Sequence, residues 1–286
     1  MSFVDTFVKN HPIQKLEVDK TIGEYIVGGK GKIGFLIFPG GGQDALSCFD
    51  LIDTFEKNYK VVAVNFAGFS NLSTFFNFIN QILKKERIEK VIVYGLSVGG
   101  FLAQHYAINN SDKVLKIIIS HAGSTRSKTI QKRVILPGKV LHFFLPVIPI
   151  SLLKWLVKKF SGRVQSGQSN IKKLYLKYST KENFDRRSEF AKQFGLNFLN
   201  RKYLKSFYNL GMEIQKEEKG WDNKKLNELS KKMLIIKTDN DPLAQDDGIF
   251  SEYYLHARIH VFTDTGHLTP FIQFENMVEI IKEFLK

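Results

Sequence analysis

The sequence predicts an α/β fold, a mostly parallel sheet covered on both faces by helices. Three observations carry that expectation. Continuous Val/Ile-rich runs such as IGFLIF (Ile33 to Phe38) and VLKIIIS (Val114 to Ser120) are what strands buried on both faces look like. Amphipathic stretches separate these runs, as right-handed crossover helices would. The alternation stops once, at Gly123, and resumes at Met233.

Taken in order, KLEVDK and GEYIVGG (Lys15 to Lys20, Gly23 to Gly29) read as an opening hairpin. Strand Ile33 to Phe38, helix Asp44 to Asn58, strand Lys60 to Phe66 and helix Ser73 to Arg87 come next. Then come strand Lys90 to Gly95, a helix through FLAQHYAINN, and strand Val114 to Ser120. After the interruption the pattern reads as strand Met233 to Asp239, a helix near Phe250, strand Ala257 to Phe262 and a closing helix ENMVEIIKEFLK. The interrupting segment has helical periods, no strand-like alternation, and prolines at Pro137, Pro146 and Pro149. A segment that leaves a sheet and returns to it is a cap. The expected organisation is therefore a core of residues 1–123 and 233–286 with a helical cap over 124–232.

With 286 residues, 43% hydrophobic and 24% charged, the chain can bury a full core, and disorder is excluded. Cys48 is the single cysteine, so no intramolecular disulfide forms, and the start MSFVDTFVKNHP lacks the apolar core of a secretion signal. A soluble, reducing, cytoplasmic setting is expected. The formal charge is +14, and it is uneven: Ser124 to Lys232 holds 25 Lys+Arg against 8 Asp+Glu, or +17, while the remainder is −3.

The stretch VIVYGLSVGG (Val91 to Gly100) carries the chemistry. A strand-like run ends in Ser97 held between glycines and becomes a helix, the G-x-S-x-G pattern of a nucleophile lifted out of a sheet on a sharp turn. Gly95 and Gly99 relieve crowding around that turn, and Gly100 extends the small surface. The pattern alone would arise by chance in about one such chain in ten, at roughly 7% per fixed residue. Its context and partners sharpen it.

Asp241 comes after strand MLIIK in TDNDPLA, and His267 after strand ARIHVF in TDTGHLTPF. The order Ser97, Asp241, His267 is that of a triad carried on successive C-terminal strand edges. Asp239 and Asp264 stay open as rival acids, and His121, at the end of a strand, as a residue of the pocket. His105 reads as a helix-face residue. FPGGGQDA (Phe38 to Ala45) can present backbone N–H groups to an oxyanion, with Asp44 capping the next helix. The expected donors are Gly41 N–H and Val98 N–H, with Gly40 or Gly42 as alternatives.

Over nearly its whole length the chain resembles the α/β-hydrolase superfamily in its glycine-rich loop, elbow, cap, and acid and histidine loops. The first loop has Pro39-Gly40 where that family commonly has His-Gly. GLSVGGFLAQHYA, HFFLPVIPISLLKWLVKKF and TGHLTPF also resemble the maspardin-like subgroup, whose members can lack part of the triad and serve as binding proteins. The resemblance implies acyl transfer with no metal or organic cofactor: His267 takes the Ser97 proton, Asp241 orients the imidazole, and water completes hydrolysis. A serine nucleophile disfavours the carboxylate chemistry of dehalogenases and epoxide hydrolases on this fold. The substrate expected is a small-molecule ester or thioester with an apolar acyl or alcohol group; the rival readings are a non-catalytic binding or scaffold protein and a lipid hydrolase working at a membrane surface.

The stretch from Val134 to Trp155 is strongly apolar, but Lys139 and three prolines interrupt it, so it does not read as a membrane-spanning helix. Cap helices that bury their apolar faces over a pocket and keep lysines in water are the plain reading. An anionic membrane surface, or an anionic acyl substrate, is the sharper one. Nucleic acid is excluded as a partner, since no recognised module for it is present.

Overall fold

The structure, a computed structural model, describes residues 2–166, 170–243, 248 and 252–286. Helix α1 (Phe3–Asn10) comes first, closed by a capping box in which Ser2 Oγ accepts from Asp5 N–H at 3.1 Å and Asp5 Oδ2 accepts from Ser2 N–H at 3.3 Å. The eight strands are β1 (Gln14–Val18), β2 (Thr21–Gly28), β3 (Ile33–Phe38), β4 (Lys60–Val64), β5 (Lys90–Leu96), β6 (Val114–Ser120), β7 (Met233–Thr238) and β8 (Arg258–Phe262). They form one sheet in the order β1-β2-β4-β3-β5-β6-β7-β8. The opening hairpin joins antiparallel, and every pair from β4 to β8 is parallel.

Side chains alternate strictly between the faces. Leu36, Phe38, Val91, Val93, Ile117 and Ile119 enter one core, which α3 (Leu72–Lys85) and α4 (Val98–Asn109) cover. Phe35, Ile37, Ile92, Tyr94 and Ile118 enter the other, covered by α1, α2 (Phe49–Phe55) and the closing helix. From β3 the chain moves outward to β4 over one face, then returns to β5, on the other side of β3, over the opposite face. The carboxyl ends of β3 and β5 therefore flank the crevice where the direction of winding reverses, the place where α/β sheets collect ligands.

Between β6 and β7 the described residues are helical and irregular: α5 (Lys128–Ile130), a π-turn at Gln131–Ile135, α6 (Leu136–Phe144), α7 (Ile150–Ser166), α8 (Ile171–Tyr178), α9 (Lys181–Gln193), α10 (Arg201–Glu218) and α11 (Asn223–Ser230). This segment reaches both faces. Tyr203, Leu210 and Ile214 of α10 join the first core, while Phe190 of α9 stacks on Phe49 in the second at 4.7 Å between ring centroids. Arg186 and Arg187 close on Asp50 of α2 at 2.7 and 2.6 Å. The chain ends in a short helix α12 (Thr269–Ile272) and α13 (Phe274–Leu285).

Some boundaries differ from expectation. The helix expected over Asp44 to Asn58 is a 3-10 turn at Leu46–Cys48 leading into α2, because Asn65 Oδ1 captures Ala45 N–H at 2.6 Å and Asp44 Oδ1 takes Ser47 N–H at 2.9 Å. The strand expected to reach Phe66 stops at Val64, where Asn65 turns to serve that loop. The helix expected near Phe250 lies outside the described residues. Among the described residues, no helix is long and apolar enough to cross a membrane.

Candidate active site

Ser97 stands at the turn from β5 into α4 with φ 52° and ψ −118°, a conformation that costs a non-glycine residue about 1–3 kcal/mol. Its neighbours make the turn possible. A Cβ on Gly99 would lie 2.1 Å from Phe38 O and 2.5 Å from Pro39 O, and one on Gly95 would lie 2.3 Å from Gly99 O. Only glycine lets α4 begin this close to the end of β3. Ser97 N–H donates to Ser120 O at 2.9 Å, which pins the turn to the adjacent strand.

Beyond β7, Asp241 is 1% exposed, and beyond β8, His267 is buried in a one-turn helix. His267 Nδ1 lies 2.8 Å from Asp241 Oδ2, and its Nε2 lies 2.9 Å from Ser97 Oγ. Burial pushes the Asp241 carboxyl up, but the His267 hydrogen bond and charge, His121, and the Leu243 N–H at 2.8 Å together hold it below the usual carboxylate range. An ionised Asp241 can only accept, so Nδ1 carries the imidazole proton and Nε2 is left to accept from the Ser97 hydroxyl. The three residues named from the sequence are thus brought into one hydrogen-bonded line. The rival acids are elsewhere: Asp239 is exposed, and Asp264 pairs with Lys177 at 2.7 Å and Tyr178 at 2.5 Å.

The loop after β3 lies beside Ser97. Gly40 N–H donates to Gln43 Oε1 at 2.9 Å and Gly42 N–H to Tyr203 Oη at 2.8 Å, so both are engaged. Gly41 N–H and Val98 N–H have no partner among the described residues, Val98 being the first residue of α4. A Cβ placed on Gly41 would sit 3.7 Å from Val98 Cγ1 and 3.0 Å from the Phe207 ring. Gly41 and Val98 are therefore neighbouring residues, with an aromatic wall supplied by α10.

Around this line stand His121, which the sequence offered as a pocket residue, and a set of threonines that it did not single out. His121, also at positive φ (49°), is 1% exposed and meets the His267 ring edge-on at 5.9 Å between centroids. Its nitrogens are occupied by Ser120 Oγ at 2.9 Å and Thr238 Oγ1 at 2.8 Å, so it supports the site from beneath instead of lining a pocket. Thr238 and Thr265 both meet Thr269 Oγ1 at 2.6 Å, Gln273 donates to Thr265, and Thr269 donates to Gly266 O. That bonding sequence makes His121 Nε2 a donor, and in a neutral ring Nδ1 then accepts from Ser120 Oγ. Burial, and then the charge of His267, lower its pKa to about 3, against a smaller opposing pull from Asp241. Asn240 Oδ1 accepts from Gly266 N–H at 3.0 Å, which ties the acid loop to the histidine loop. His105 is fully buried on α4, against Glu217 and Trp221. Among the described residues, no cluster of His, Cys, Asp or Glu could hold a metal ion.

Ser97, His267 and Asp241 thus stand in one hydrogen-bonded line at the edge of a doubly covered sheet, and comparison with known proteins gives the family of the chain. The chain belongs to the alpha/beta hydrolase fold family, whose model matches residues 35–272. A search of curated proteins found no match. Among solved structures, the chain is similar to a 2-hydroxy-6-oxo-6-phenylhexa-2,4-dienoate hydrolase from a Rhodococcus species (16% identity, TM-score 0.67, covering 96% of this chain and 98% of that one). It is similar to the enol-lactonase of Burkholderia xenovorans (14%, 0.66, 95% and 99%) and to an epoxide hydrolase of Bacillus megaterium (16%, 0.64, 95% and 99%). At these identities the likeness concerns the fold.

Proposed function

We propose that this protein is a serine hydrolase that cleaves a carboxylic ester or thioester bearing an apolar group, through an acyl-enzyme on Ser97. The observation that carries the reading is the continuous line from Ser97 Oγ through His267 to Asp241, at 2.9 and 2.8 Å. His267 Nε2 takes the Ser97 proton as Oγ attacks the carbonyl carbon, and Asp241 stabilises the imidazolium. The oxyanion settles on Gly41 N–H and Val98 N–H, donors that no other described residue engages. His267 then protonates the leaving alcohol or thiol and activates water for deacylation. Phe207 and Val98 beside Gly41 suit an apolar group at the reacting carbon.

Solved structures of the same fold include, by their names, a meta-cleavage product hydrolase, an enol-lactonase and an epoxide hydrolase. A hydroxyl nucleophile at the elbow favours acyl chemistry over opening an epoxide, and esters and lactones are the same carbonyl problem. A single, buried cysteine, Cys48, fits a reducing cytoplasmic setting. The test is covalent labelling of the purified protein by a fluorophosphonate probe beside Ser97→Ala and His267→Ala. Labelling that requires both residues supports an activated serine. A folded protein that takes no label refutes it and favours a binding protein on the same fold.

A further inference from the structure

The apolar start of the helical segment has two faces, and only one is used. Buried Leu145 and part-buried Leu153 and Val157 turn toward the protein, Val157 packing against the first core. The other face stands in solvent. On α6 and the turn after it, Leu136, Val140, Phe143, Phe144 and Val147 are exposed, Phe143 at 77% and Val147 at 74%. On α7, Leu152, Trp155, Leu156, Phe160 and Val164 are exposed, with Trp155 at 53%. Both sets follow helical spacing, i, i+4, i+7, i+8, i+11 in the first and i, i+3, i+4, i+8, i+12 in the second, so each is one outward stripe. Isolated exposed leucines are ordinary on any surface; two stripes on consecutive helices that carry aromatic rings are not.

The charge around these stripes has one sign. Between Ser124 and Lys181 the sequence holds 13 Lys+Arg and no Asp or Glu. Lys132, Lys139, Lys154, Lys158 and Lys159 form no ion pair among the described residues. Lys159 lies within the α7 stripe, its Nζ 4.8 Å from the Trp155 ring and 5.3 Å from that of Phe160, a cation riding on apolar surface with its head toward water. A second protein surface could cover the stripes, but an identical copy would bring the same cations against these. An apolar layer under a sheet of negative charge matches both features at once.

We propose that the outer faces of α6 and α7 are a docking surface for an anionic lipid bilayer, lying in the interface with their stripes among the acyl chains and their lysines among the headgroup phosphates. No helix among the described residues is built to span, so the contact is in the membrane plane. The inner end of α7 abuts the histidine loop, since a Cβ on Gly266 would lie 2.8 Å from Gln165 O. The proposed surface is thus continuous, through α7, with the loop that carries His267. The surface itself stands apart from the catalytic reading, so Ser97→Ala is expected to bind vesicles as the unaltered protein does.

The test is co-sedimentation of the full chain with vesicles of phosphatidylcholine alone or with about one third phosphatidylserine. The expected result is binding to the anionic vesicles that falls at least tenfold when salt is raised to about 0.5 M, where exposed charge is screened within a few ångströms. The variants Phe143→Ser/Trp155→Ser and Lys158→Glu/Lys159→Glu each lose at least tenfold in binding. Their exposed positions leave the melting temperature and probe labelling unchanged. Absence of binding to anionic vesicles at low salt overturns the proposal. So does a self-associated protein that fails to bind vesicles and becomes monomeric in Phe143→Ser/Trp155→Ser, which would assign the stripes to a second copy.

Discussion

His121 ties the stability of the protein to pH in a way that can be worked from its surroundings. It is buried at the end of β6 between Ser120 and Thr238, faces His267 and Asp241, and titrates at about 3 instead of its ordinary 6.5. Its folded pKa is depressed, so the unfolded chain binds this proton first, and stability present above pH 6.5 drains away as pH falls toward 3. Between pH 7.5 and pH 5 the loss is ~2 kcal/mol, from 1.36 kcal/mol per unit over the one and a half units below 6.5. The perturbation is His121→Asn, which cannot titrate, tolerates the positive φ, and can still reach a hydroxyl. Urea unfolding at both pH values gives four free energies, and the carboxylates and remaining histidines contribute alike to each protein. The unaltered protein should lose ~2 kcal/mol more than the variant over this interval. Equal losses, within about 0.5 kcal/mol, would show that His121 is protonated in the folded protein or solvated, and the buried neutral ring would have to be given up.

Three further outcomes are expected. Gly99→Ala forces a methyl against Phe38 O and should cost about 3 kcal/mol or more, whereas Gly211→Ala, inside α10 with nothing within 4 Å, should stabilise by ~1 kcal/mol; denaturant titration compares the two. Asp241→Asn should slow fluorophosphonate labelling by roughly 10⁴-fold while Asp264→Asn leaves it unchanged, read from labelling time courses. Tyr203→Phe removes the partner of Gly42 N–H and should slow labelling several-fold at a stability cost of ~1 kcal/mol, small because water reaches exposed Gly42.

The sheet was legible because strands buried on both faces cannot hide their Val/Ile runs, and crossover helices declare themselves by period. Ser97, Asp241 and His267 were legible because each comes directly after a strand, so strand order alone aligns them. What escaped lies in contacts between distant parts of the chain. Tyr203 and Phe207 reach the glycine loop from α10, more than 160 residues on, and no spacing in either segment announces the meeting. The threonines around His121 look like ordinary loop residues until Thr238, Thr265 and Thr269 converge on one hydroxyl. Helix α1 was missed although Ser2 and Asp5 spell its capping box, because eight residues carry too few turns to establish a period.

The helical segment between β6 and β7, expected as a cap, is riveted through both sides of the sheet. Tyr203, Leu210 and Ile214 are driven into one core and Phe190 into the other, with two arginines closed on Asp50. Unfolding it would uncover both layers at once, so heat should melt the molecule in a single transition. The outer faces of α6 and α7 lie outside this arrangement. Natural variation or a protein engineer can rewrite those faces, and with them the company the protein keeps, while the machinery beneath stays as it is.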